Sequence, residues 1–188
     1  MTELYDYSGE FKPDVKLQDF SKDALVKLII AASHEYIGID GLWLNTIRRR
    51  YGEEVAMDCS REVWDTGWLH EVRRGLEAMN ISGNDIAAVF KYYQIDPGFG
   101  AMFDIKCELP SPDLGYVTVE RCWVLDKLER LETNEMMQKI KLACEELDVP
   151  LFQRVASYFN PAIKVKPLKL PPRGSADEVA CRWEYRME

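Results

Sequence analysis

Hydrophobic residues recur with two different periods along this chain, and the change from one to the other falls near residue 100. Before it the spacing is helical. Leu25, Leu28, Ile29 and Ala32 form an apolar stripe behind a Ser21 cap, with Asp23 in the first turn where its charge suits the helix dipole. Gly38 and Gly41 are expected to kink this helix or to separate it from a second one carrying Leu42, Trp43 and Ile47. A third helical pattern runs from about Glu53 to Met79 through Val55, Val63, Trp64, Trp68, Val72 and Leu76. A fourth starts at Ser82-Gly83-Asn84-Asp85, read as a serine cap with an acid three positions on. It buries Ile86, Val89, Phe90 and Tyr93 and stops at Asp96-Pro97-Gly98.

Beyond that point the period is 2. Phe103, Ile105, Cys107 and Leu109 alternate with Asp104, Lys106 and Glu108, a half-buried strand. Residues 110–115 are turn chemistry, and Val117 and Val119 lead a partner strand through to Trp123. A short helix is expected from Val124 to Glu132. A stronger one is capped by Thr133 and carries Met136, Ile140, Ala143, Cys144 and Leu147 on one face, and another is opened by Pro150. Ile163–Val165 begins a third strand, which Pro167 confines to an edge or a bulge, and Val179, Cys181, Trp183, Tyr185 and Met187 alternate in the last. The pattern predicts an α+β fold: a helical N-terminal half packed on a C-terminal antiparallel sheet of β-β-α-α-β-β order. One domain is expected over residues 1–188, with an arm at 1–20, a helical part at 21–96 and an α+β part at 101–188.

Composition narrows the function classes. An apolar fraction of 47% with 11% aromatic residues supports a packed core, and a net charge of −8 leaves little basic surface. Nucleic acid and anionic membranes are therefore not expected as partners. Arg48-Arg49-Arg50 is read as the cationic end of a helix. No apolar run is long enough to span a bilayer and no leader pattern opens the chain, so a cytoplasmic location with reduced thiols is expected for the five cysteines.

Three groupings carry candidate chemistry. Cys122, Cys144 and Cys181 are thiols that the fold can bring together, and thiolates hold zinc or iron; no CxxC spacing supports this, and burial in the core is the plainer reading. His34, Glu35 and Asp40 lie within two helical turns and can supply a general base, although His34-Glu35 lacks the second histidine of an HExxH motif. Asp40 is expected either to cap the helix behind Trp43 or to line a pocket. Trp43, Trp123, Trp183 and Tyr185 are core candidates that can also wall a ligand pocket between helices and sheet. The cations Lys164, Lys166, Lys169 and Arg173 read as a solvated strand edge.

The opening Leu4 to Phe11, the stretch Gly38 to Trp43, the Asn84-Asp85 helix start, and Leu168-Lys169-Leu170-Pro171-Pro172-Arg173 followed by Cys181-Arg182-Trp183-Glu184-Tyr185 resemble an uncharacterised family. Its members are small cytosolic proteins from mostly anaerobic bacteria and archaea. In that family the matching positions hold a Cys-Pro, a further Cys and a Cys-Cys pair; here they read Cys122-Trp123, Cys144 and Ala180-Cys181. The late layout is more distantly similar to the L-2-amino-thiazoline-4-carboxylic acid hydrolases and to four-vinyl-reductase-like small-molecule-binding domains. The resemblance implies a small-molecule-binding protein with a thiolate metal site. The alternative it implies is a hydrolase of small sulfur- or nitrogen-containing rings, with Cys122 as nucleophile and His34, Glu35 or Asp40 moving the proton. A structural or partner-binding role without chemistry is the third expectation, and a homodimer is the base-rate assembly.

Overall fold

The computed structural model describes residues 3–188; Met1 and Thr2, part of the N-terminus read above for a leader, lie outside the described residues. The arm is ordered by backbone pairing. Leu4 bridges Phe20, and the Leu4 amide donates to the Asp19 carbonyl while the Ser21 amide donates to that of Leu4, both at 2.9 Å.

Ser21 caps the first helix, α1 (Lys22–Tyr51), accepting from the Ala24 amide at 3.2 Å. This helix runs through both Gly38 and Gly41 without a break, contrary to the expected kink. A Cβ added at either glycine would meet nothing within 4 Å, so both lie on the open side of the helix. Their propensity cost, about 1 kcal/mol each, is outweighed by the residues around them that dock on the next helix. The buried face is also rotated from the expected stripe. Leu28 and Ile29 are 47% and 56% exposed, whereas Ser33 is buried and Tyr36, Asp40 and Trp43 are half-buried. Polar groups decide this orientation. Tyr36 and Asp40 go inward because Glu71, Trp43 and Trp64 are there to bond them.

The second helix, α2 (Glu53–Met79), follows after Gly52, whose φ of 91° favours glycine. The third, α3 (Ile86–Ile95), is capped by Asp85, which accepts from the Ala88 amide at 2.8 Å. The cap is therefore Asp85 rather than the predicted Ser82. Gly83, at φ 123°, turns the chain between them. Six of the ten residues of α3 are buried, as befits the helix that lies on the sheet.

Strands β1 (Asp104–Ser111), β2 (Leu114–Arg121), β3 (Ile163–Lys169) and β4 (Cys181–Met187) form one antiparallel sheet in the order β1-β2-β4-β3. Pro167 lies on the edge strand β3, and the register slips between it and Lys169, as its missing N–H requires. Val117 pairs with Trp183 and Val119 with Cys181, so one face of the sheet is apolar. The other carries Lys106, Glu108, Arg182 and Glu184. At the closest approach of α3 to the sheet stands Gly115; a Cβ there would lie 2.6 Å from the Phe90 ring.

β2 ends at Arg121, one residue before Cys122, which was expected within the strand. Cys122 instead caps α4 (Trp123–Leu128). The next two predicted helices are one unbroken rod. Helix α5 (Thr133–Ile140) passes into a π-helical segment, Lys141–Leu147, and on into α6 (Asp148–Phe159). Pro150 explains the wide turn: it has no N–H for the carbonyl four residues back, and its ring crowds that carbonyl. Helices α3 and α6 pack on the sheet, α2 lies on them, and α1 is outermost against α2.

Arg173, expected among solvated cations, is the best-buried charge of that run, its side chain only 4% exposed. It donates to Asp126 at 2.7 Å and to both oxygens of Glu129, fastening the β3–β4 connection to α4. A bidentate carboxylate partner is what makes that burial tolerable.

Candidate functional site

The residues singled out from the sequence are spread over several places. His34 packs edge-on against Trp123 with ring centroids 5.0 Å apart, and the Lys127 ammonium lies over the same indole, 3.5 Å from its ring centroid. Glu35, its neighbour, is exposed. Asp40 is not a cap; it sits within α1, accepts from Trp43 Nε1 at 3.2 Å, and burial raises its pKa against the bonds from Trp43 and Trp64. Trp183 and Tyr185 are each 1% exposed within the core. Trp183 packs on Phe152 and the Tyr185 hydroxyl donates to that of Tyr93 at 3.1 Å. Trp43 and Trp123 are half-buried on the helical side.

The three thiols come from separate elements and lie within electrostatic reach of one another. Cys122 comes from the head of α4, Cys144 from the π-helical segment and Cys181 from the first residue of β4. All five cysteines are free. The Cys122 sulfur accepts from the Leu125 amide at 3.3 Å and the Cys181 sulfur from Trp183 Nε1 at 3.1 Å. Asp148 at the head of α6 joins them electrostatically. Burial, with Asp148 adding to it, pushes the Cys122 thiol up to about 11 and that of Cys181 up to about 12. Burial raises Cys144 further, followed by Asp148 and the two other sulfurs, and burial alone raises Asp148 to about 7. These are neutral thiols, the opposite of an activated nucleophile. Among the described residues no three His, Cys, Asp or Glu side chains are grouped so as to hold a metal ion.

A different place has the geometry of a binding site. Between α1, α2 and α3 lies a cavity of about 370 Å³, lined among others by Tyr36, Glu71, Arg74, Tyr92, Ile95 and Asp96. Glu71 and Arg74 are one turn apart on α2, and Tyr92 and Asp96 one turn apart at the end of α3. The Tyr36 hydroxyl donates to Glu71 and the Tyr92 hydroxyl to Asp96. Gly75 lets the helices close on the cavity: a Cβ there would meet Ile95 and Tyr92 at 3.2 Å. Burial, then repulsion from Asp96, lifts Glu71 to about 7. Burial also raises Asp96, against the bond from Tyr92 and backbone donors at Gly98 and Phe99. Its place at the negative end of the α3 dipole acts in the same direction as burial. A carboxyl that titrates near neutrality inside a cavity can hold or move a proton at physiological pH, or take up a cation.

Sequence reasoning passed over this pair. Glu71 falls on the same helical face as Trp64 and Trp68, and an acid within an apolar stripe is the signal that was present. Asp96 was read only as a helix stop. Tyr36 continues the inner face of α1 that the expected stripe misplaced.

The model of a family of unknown function, DUF6125, matches residues 18–187 of the chain. No curated protein and no solved structure matches it.

Proposed function

We propose that this chain, which belongs to the family of unknown function DUF6125, is a small-molecule-binding protein whose ligand site is the cavity between α1, α2 and α3. The observation that carries this reading is the convergence of Glu71 and Asp96, each bonded by a tyrosine, on one cavity of about 370 Å³. That volume is at the small end of ligand pockets, which run from about 300 to 1,000 Å³. Five free thiols fit a cytoplasmic, reducing location. The test is a thermal-shift screen of small ligands against the wild type and Gly75→Ala, its fold checked by circular dichroism; the added Cβ presses on Ile95 and Tyr92 at the cavity wall. Ligands that raise the wild-type melting temperature and leave the variant unmoved support the site; equal shifts in both place binding elsewhere.

The hydrolase alternative moves with the cavity. Glu71, near 7, is tuned to exchange a proton, whereas Cys122, near 11, is not tuned to attack. A thiolate metal site at Cys122, Cys144 and Cys181 is the second reading, supported by the electrostatic reach of these sulfurs to one another and to Asp148. It requires the sulfurs to draw together and lose their protons to zinc or iron. Metal content per chain, measured on protein prepared without air and compared with Cys144→Ser, decides it: about one metal lost in the variant supports the reading, and equal content in both removes it.

A further inference from the structure

The negative charge in the cavity has no positive partner. No cation enters the causes that set the pKa of Glu71 or of Asp96, and neither carboxylate joins an ion pair among the described residues. Arg74 lines the cavity but is exposed and makes no ion pair with either acid. An ionised carboxylate accepts at about four positions, so Glu71 keeps several lone pairs after accepting the Tyr36 hydroxyl, and Asp96, which also accepts from Tyr92 and from backbone donors at Gly98 and Phe99, keeps about one. The space beside them is walled by the Tyr36 and Tyr92 rings, Ile95 and Gly75.

We propose that the cavity binds a small organic cation, a primary ammonium on an apolar or aromatic body, with the ammonium held between Glu71 and Asp96 and the body against Tyr36, Tyr92 and Ile95. This rests on the reading of the cavity as the ligand site. An ammonium has three donors and no acceptor, which suits two neighbouring carboxyls that join no ion pair among the described residues. Tyrosine faces attract cations within about 6 Å, which adds to the carboxylate contacts. A bare metal ion suits the place less, because its walls are aliphatic and aromatic and no three metal-ligating side chains meet there.

Without ligand, the acid pair holds a proton near neutrality. Bound ammonium replaces it: the protonated site and one ammonium give the complex and one released proton. The groups facing the pair are Tyr36 from α1, Arg74 from α2 and Tyr92 from α3. Of these Tyr92 is pushed far above the range by burial and by the two acids, so Glu71 and Asp96 are the groups that respond.

The experiment is calorimetry and thermal shift with three probes of one shape, phenethylammonium, 2-phenylethanol and 3-phenylpropionate, with calcium and magnesium chloride as further arms. Phenethylammonium is expected to bind, with affinity falling about tenfold for each pH unit taken below 7, where one proton is released on binding, and levelling off above it. Glu71→Gln and Asp96→Asn, checked for fold by circular dichroism, are each expected to lose at least about tenfold, the removal of a charge-assisted hydrogen bond worth about 1.5–3 kcal/mol. Preferential binding of the alcohol or the carboxylate overturns the cation but leaves the cavity as the site. Stabilisation by calcium or magnesium alone replaces the organic cation with a metal. No binding by any probe at millimolar concentration overturns both readings.

Discussion

Replacing Glu71 with Gln tests the physical account of the cavity through stability alone. The carboxyl titrates at 4.5 when unfolded and at about 7 in the fold, because burial and the neighbouring Asp96 disfavour its charge. Folding therefore takes up a proton between those values. The stabilisation is complete below pH 4.5 and is lost as pH rises through 7. At 1.36 kcal/mol per pH unit, the loss approaches about 3 kcal/mol, a ceiling because Glu71 is only half-buried. Glutamine keeps the shape and the acceptor for the Tyr36 hydroxyl but does not ionise. Urea denaturation at pH 5 and pH 8 should then show the variant more stable by less than about 1 kcal/mol at pH 5 and by up to about 3 kcal/mol at pH 8. With an m-value of about 2 kcal/mol per M, the midpoint should move by roughly 1.5 M at pH 8. The wild-type curve alone is not enough, since Asp148 is also raised to about 7; the difference between the proteins cancels it. Relief of Asp96 adds in the same direction. The same difference at both pH values, or a less stable variant at pH 8, would refute the reasoning.

Gly115→Ala places a Cβ 2.6 Å from the Phe90 ring and 2.8 Å from Ile86, and should cost about 1–3 kcal/mol by overpacking; an unchanged urea midpoint would mean α3 does not lie so close. Arg173→Gln leaves Glu129 without its partner and Asp126 with only Arg121 at 3.7 Å, and because both acids are partly solvated the expected loss is about 2 kcal/mol, with faster proteolysis of residues 170–180; a neutral result would show the pairing to be incidental. At pH 8 about one in a thousand Cys122 side chains is thiolate, given its value near 11, so iodoacetamide should label it slowly in the fold and rapidly in urea, and fast native labelling would contradict its burial.

The alternation of β1, β2 and β4 was legible because a sheet with one charged face writes its period directly into the chain. The helices were legible as helices, but not their orientation. The stripe of α1 counted Leu28 and Ile29 and overlooked that Tyr36 bonds Glu71, and Asp40 bonds Trp64 as well as Trp43, when they are turned toward α2. The continuity of α1 through Gly38 and Gly41 depends on docking, which local propensity does not contain. Cys122, Cys144 and Cys181 lie within electrostatic reach of one another, while their protonation state depends on burial and on Asp148, which no motif marks. Glu71 and Asp96 are 25 residues apart and meet only through the crossing of α2 and α3, a distance over which sequence spacing carries no information.

The placement of α1 has a consequence for how the molecule breathes. Among the described residues its one extensive partner is α2, and it shares no broad contact with the sheet. A unit tied along one side opens at a lower free energy than the whole domain, so α1 amides should exchange with deuterium well before those of β2 and β4. Tyr36 travels with α1, and with it one wall of the cavity. Entry to the site then needs only the outermost layer to part, while the sheet keeps the fold in register, and an occupant touching Tyr36 should slow exchange along the whole helix.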